Sequence, residues 1–270
     1  MVALRYSLVL VTAWSAGCSL GPSGSQLDTI VAGKETGELH TELASVGRRP
    51  SERTCALVML PGVGDRAASF VEHGFIDELQ SHASECDAVM VDADITYYLD
   101  QSLVQKLTRD VLTEVHRQGY RSVWLVGISL GGYGALLTAR SQHDLIDGVV
   151  LIAPLLGAPA DRATNEISAA GGLHAWPGLP VDHPEPRHHF RDPRLVWNWL
   201  RSATLSESHP VVVAYGTEDS MARHHDVLAA ALPEGRVIRR SGSHDWETWR
   251  ALWSDVLDAP PWVEPLGSAK

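Results

Sequence analysis

The sequence predicts an α/β fold, a mostly parallel twisted sheet with helices on both faces, and three observations carry that expectation. From Ala56 onward, short apolar runs alternate with helix-forming stretches, the pattern of parallel strands joined by right-handed crossovers. The runs at 56–60, 88–92, 122–127, 148–152 and 210–216 are largely Val, Leu, Ile and Ala, as buried strands require. One of them drives straight into Gly127-Ile128-Ser129-Leu130-Gly131, a glycine-flanked serine with a helix-forming stretch behind it.

Taken in order, residues 1–17 carry one cation, Arg5, then an apolar stretch from Leu8 to Trp14 and a small-residue run. That is a secretory signal pattern, too short to span a membrane and to be left out of the fold. Residues 18–54 are polar and weakly periodic, and read as a tether with one or two edge strands near Leu27 to Ala32. The main domain, 55–259, opens with the strand 56–60, a helix near Ala67 to Ala83 and the strand 88–92. A helix follows near Leu103 to Gln118, with Leu103, Leu107, Val111, Leu112 and Val115 on one face and Gly119 to stop it. Next come the strand 122–127, a helix over 130–140 and the strand 148–152. The regularity then breaks over about 155–209, an insertion too long for a bare connection. It is expected to form a cap over Ser129, with Leu155, Leu156, Trp176, Trp197 and Trp199 as pocket walls or as packing. A strand at 210–216, a helix near 221–232, a strand near 236–240 and the loop 241–246 complete the domain, and 260–270 is a tail.

The Gly-x-Ser-x-Gly turn between strand and helix lifts a serine hydroxyl to the top of a sheet, which makes Ser129 a candidate nucleophile. A serine needs a base, and the base needs a carboxylate to orient it. Thr217-Glu218-Asp219 follows the strand 210–216, at the end where such sheets place functional groups, and His244 lies in the loop after the last strand. Asp219 is the expected acid, with Glu218 and Asp245 as alternatives. Two amides must also face the developing oxyanion. Leu130, just after the serine, supplies one, and the loop after strand 56–60 supplies the other through Val63 or its neighbour Gly64.

With Gly127 to Gly132, Gly216 to Asp219 and Gly242 to Trp246 in place, the chain resembles the α/β-hydrolase superfamily over roughly Thr54 to Leu257, as a small esterase or lipase-like member. The stretch from Gly242 to Trp249 also resembles the histidine loop of the esterase-D-like and mycolyltransferase-like branch. Pro61-Gly62 stands where many relatives carry His-Gly. The resemblance implies hydrolysis of a small acyl ester by Ser129, Asp219 and His244 without cofactor or metal. Thioesterase, amidase and acyltransferase activities are the alternatives, as is an inactive surface-binding lipoprotein.

A net charge of -11 with no basic stripe excludes a nucleic-acid partner. Ala16-Gly17-Cys18-Ser19 resembles a bacterial lipoprotein signal, with Cys18 the lipidated residue. Ser15 departs from the usual pattern, and ordinary signal cleavage is the alternative. A lipid on Cys18 would attach the protein to a bacterial membrane facing the periplasm or the exterior. Export permits a disulfide between Cys55 and Cys86, which begin strands expected to be neighbours; two buried free thiols are the other reading. His183, His188 and His189 with Asp182 and Glu185 fit no strong metal signature and read as a solvated polar loop. Tyr97 and Tyr98 are candidate pocket walls, or packing residues.

Overall fold

The structure, a computed structural model, describes residues 39, 41–44, 54–82, 84–157, 162–180, 182–183, 192–206 and 209–263. The expected strand at 27–32, Cys18, Glu185, His188 and His189 lie outside the described residues.

Seven strands form one sheet in the order β1-β3-β2-β4-β5-β6-β7. They are β1 (Thr41–Ala44), β2 (Cys55–Leu60), β3 (Cys86–Val91), β4 (Ser122–Ile128), β5 (Gly148–Ile152), β6 (Val211–Gly216) and β7 (Val237–Arg240). β2 to β7 are mutually parallel, and β1 joins the edge antiparallel to β3.

Both faces are covered, and the strands show it residue by residue. In β2, Ala56, Val58 and Leu60 pack into one core while Leu57 and Met59 pack into the other. The first core is closed by α4 (Leu103–Lys106), α5 (Thr113–Arg117), α6 (Leu130–Ser141), α8 (Arg194–Ser206) and α9 (Ala222–Ala229). The second is closed by α1 (Ala67–Glu72), α2 (Phe75–Ser81) and α10 (Trp246–Asp258). Period-two strands buried on both sides can have no polar face, which is why they read as unbroken apolar runs.

The structure departs from the sequence reading in several places. The helix expected over 67–83 is two helices, because Gly74 takes φ of 77° between them. The 103–118 helix carries a π-helical stretch, Leu107–Leu112, between α4 and α5. A short helix, α3 (Ile95–Leu99), follows β3, and α10 follows the histidine loop. The tail is anchored at its start: the Trp262 ring lies 6.0 Å from Trp253 and 6.1 Å from Trp124.

The insertion holds α7 (Arg162–Ala169) and α8. Three of its large residues belong to the core. Leu156, Trp176 and Trp197 are buried in the first core, and Trp197 Nε1 donates to the Leu156 carbonyl at 3.0 Å. Val196, Trp197, Leu200 and Ala203 form one face of α8 turned to the body, so the tryptophan is drawn inward with its helix. Leu155 and Trp199 are half-buried against the same core.

β2 and β4 are neighbours whose connections leave in opposite directions, to α1 on one face and α6 on the other. In open parallel sheets this crossing leaves a crevice at the carboxyl ends of the strands, and ligands bind there. Both the serine turn and the Gly62 loop stand at that point. Cys55 and Cys86 are register partners at the opposite end of β2 and β3, and their sulfurs are bonded.

Candidate active site

Ser129 sits between β4 and α6 at φ 51° and ψ −112°, a conformation that L-residues rarely adopt. The turn is possible because its neighbours lack side chains. A Cβ on Gly131 would lie 2.0 Å from the Leu60 carbonyl oxygen, and one on Gly127 would lie 2.4 Å from the Gly131 oxygen. The glycines therefore let α6 begin directly against the ends of β2 and β4. Ser129 is held by its own backbone as well: its N–H donates to Ile152 O at 3.0 Å and its carbonyl accepts from Leu155 N at 2.8 Å.

The structure brings the three expected side chains together across 115 residues of sequence. Ser129 Oγ lies 2.9 Å from His244 Nε2, and His244 Nδ1 lies 2.7 Å from Asp219 Oδ2. With Nδ1–H donated to a carboxylate, Nε2 is left with its lone pair toward the serine. Asp219 is buried, and its other oxygen accepts from Met221 N at 2.8 Å. Burial acts to raise the Asp219 carboxyl, but the His244 and Met221 hydrogen bonds outweigh it and hold the group below the ordinary carboxylate range. It is thus an anion at neutral pH.

The two alternative acids are engaged elsewhere. Glu218 accepts from Ser241 Oγ at 2.6 Å, and Asp245 caps α10 by accepting from Thr248 N at 2.8 Å. The His244 ring rests edge-on against Trp249, with centroids 4.8 Å apart.

Leu130 is the first residue of α6, so its amide has no partner within the helix. Val63 is the second residue of a tight turn closed by Asp65 N–H on the Gly62 carbonyl, with Gly64 at φ 84°. Its amide takes no part in that closure, and the side chain is 60% exposed. Gly62 itself abuts the serine: a Cβ there would lie 3.7 Å from Ser129 Cβ.

The architecture resembles that of solved esterases and serine hydrolases. A substrate-bound fluorophosphonate-binding serine hydrolase of Staphylococcus aureus superposes with a TM-score of 0.56 at 13% identity, over 82% of this chain and 91% of that one. The chain has the α/β-hydrolase fold. Other structures with this likeness are an S-formylglutathione hydrolase from Staphylococcus aureus, with a TM-score of 0.59 at 14% identity over 89% and 98% of the two chains, and a ferulic acid esterase, with a TM-score of 0.58 at 17% identity over 85% and 94%. No protein-family model matches the sequence, and no curated protein sequence matches it. Ser129 follows β4, Asp219 follows β6 and His244 follows β7, all at the carboxyl ends of parallel strands.

The other candidate residues have local partners of their own. His183 Nε2 pairs with Asp192 Oδ2 at 3.0 Å, and Asp192 also holds Arg194. Tyr98 is buried against the Gly134 position of α6, and Tyr97 lies half-buried under the Lys106 ammonium, 4.8 Å from the ring centre. Two neighbours escaped the sequence reading. His225 on α9 is 0% exposed and donates Nε2–H to Pro154 O at 2.9 Å, while its Nδ1 has no partner among the described residues. Asp65 sits in the loop beside Gly62. The one signal for His225 was its place six residues beyond Asp219, among thirteen histidines.

Proposed function

We propose that the chain is a serine hydrolase of carboxylic esters that works through an acyl-enzyme. The observation that carries this reading is the continuous hydrogen-bonded line from Asp219 through His244 to Ser129 at the switch point of the sheet. Ser129 Oγ attacks the ester carbonyl and passes its proton to His244 Nε2. The Leu130 and Val63 amides hold the negative oxygen that forms, and Asp219 stabilises the imidazolium. The tetrahedral adduct collapses, and the departing alcohol takes the proton from His244. A water molecule then gives a proton to the same nitrogen, attacks the acyl group and releases the acid and the free serine. The proton transfers in these steps run along the Asp219–His244–Ser129 line, and that line supports the reading.

Attachment to a bacterial membrane through a lipid on Cys18 is part of the proposal, resting on Ala16-Gly17-Cys18. Cys18→Ala should leave a product without lipid mass that no longer fractionates with membranes.

The experiment for the activity is labelling with a fluorophosphonate probe, beside p-nitrophenyl esters of rising acyl length, a thioester and an anilide. Labelling at Ser129 with ester turnover above thioester and anilide is the expected result. Absence of labelling would leave a binding protein on a hydrolase fold, and a thioester preference would move the assignment to thioesterase.

A further inference from the structure

A carboxylate that none of these steps uses stands beside the nucleophile. Asp65 ends the tight turn after β2. A Cβ placed on Gly62 would lie 3.0 Å from Asp65 Oδ2 and 3.7 Å from Ser129 Cβ, so acid and serine flank the same glycine. Asp65 Oδ1 accepts a long hydrogen bond, 3.4 Å, from Trp246 Nε1 in the histidine loop. Oδ2 accepts none among the described residues, and the side chain is half-buried. The neighbouring acids are already engaged: Asp92 accepts from Ala67 N, Asp94 from Thr96 N, and Glu218 from Ser241.

Such a placement works against a neutral substrate. A negative carboxylate next to the Gly62 turn opposes the charge that develops on the substrate oxygen at the Val63 and Leu130 amides. A cationic group on the substrate would cancel that opposition by standing against Oδ2 as an opposite charge. The net charge of -11 acts in the same direction by drawing cations toward the protein. We propose that Asp65 determines specificity, and that the preferred substrates are esters bearing an ammonium group close to the scissile carbonyl. This rests on the ester-hydrolase reading of Ser129.

The test compares kcat/KM for two p-nitrophenyl esters of equal shape, one with a trimethylammonium end on its acyl chain and one with the neutral tert-butyl end. The wild type should favour the cation by about 10- to 100-fold, the range of a partly desolvated ion pair. Asp65→Asn keeps an oxygen for Trp246 and loses only the charge. It should lower turnover of the cationic ester and raise that of the neutral one, bringing the ratio near unity. Equal use of both esters by the wild type, or a ratio that Asp65→Asn leaves in place, overturns the assignment. A neutral fluorophosphonate run in parallel separates the two readings. Labelled protein without cation preference removes the role of Asp65 alone, and unlabelled protein removes the hydrolase reading and Asp65 with it.

Discussion

The two ends of the central strands are built on opposite terms. At the amino end, Cys55 and Cys86 are bonded, Arg121 N and Ser122 N both donate to Thr54 O, Val123 N donates to Asp147, and Tyr120 OH donates to buried Asp87 at 2.6 Å. At the carboxyl end, Ser129 and Ala153 take φ of 51° and 46°, glycines accept contacts no side chain would allow, and among the described residues His225 Nδ1 and Trp249 Nε1 are buried without partners. Strain and unsatisfied polar atoms persist only where the surroundings over-determine them, and they gather where chemistry is done. The cross-linked end and the strained end are therefore separated along the strand axis by a few residues.

The sharpest way to break that comparison is at the serine. Ser129→Ala should lower ester turnover on the order of ten-thousandfold or more while the unfolding midpoint stays near that of the wild type. A folded variant that still turns over substrate would overturn the nucleophile. Asp219→Asn should cost a similar order, about ten-thousandfold, because an amide there favours the wrong tautomer of His244. Asp245→Ala is the control, expected to lose about 1 kcal/mol of stability as a helix cap and to keep turnover within a few-fold.

The amino end should answer in the other currency. The disulfide spans a sequence separation of 31. Replacing both Cys55 and Cys86 by Ser should lower stability by about 3 to 4 kcal/mol on the loop-closure scale and leave kcat/KM for a small ester little changed. Denaturant melts paired with initial rates check both halves of the statement.

A smaller effect tests the orphaned histidine. Burial pushes His225 down from the ordinary value to about 4, although its bond to Pro154 acts to raise it. As the pH falls from about 6.5 toward 4, the unfolded chain takes up a proton that the folded chain refuses, so stability declines through that window and levels off below it. The decline should amount to at most about 3 kcal/mol, and His225→Gln should flatten it. Urea melts at steps of pH would show an unchanged slope if His225 were not responsible.

The parallel strands and the turn at Ser129 were legible because each depends on short-range pattern, whereas the strand order was not. Buried parallel strands must be apolar throughout, and the turn at Ser129 requires glycine at Gly127 and Gly131 for reasons of contact alone. The break at Gly74 and the π-helical stretch at Leu107–Leu112 left no such mark, because a helical period continues across both. The tryptophans of the insertion were ambiguous in the sequence for a different reason. A large apolar side chain suits a pocket wall and a helix interface equally, and only the position of α8 against α6 decides between them for Trp197. Asp65 was unreadable because its meaning comes from Gly62 and Ser129, brought beside it by the sheet.

β7 ends the sheet, and its character bears on how the molecule meets its own copies. It is four residues long, half-buried to exposed, and finishes in Arg239 and Arg240. Arg239 donates to Tyr215 OH at 2.5 Å, and Arg240 is tied to Asp255 of α10, so both cations are fixed at the rim. A bare strand edge is a template for a second chain, and short length with anchored positive charge is how such edges are blunted. A second molecule approaching β7 strand to strand would bring like charges against each other, so growth of the sheet by edge pairing is discouraged at this boundary from the moment the domain is folded.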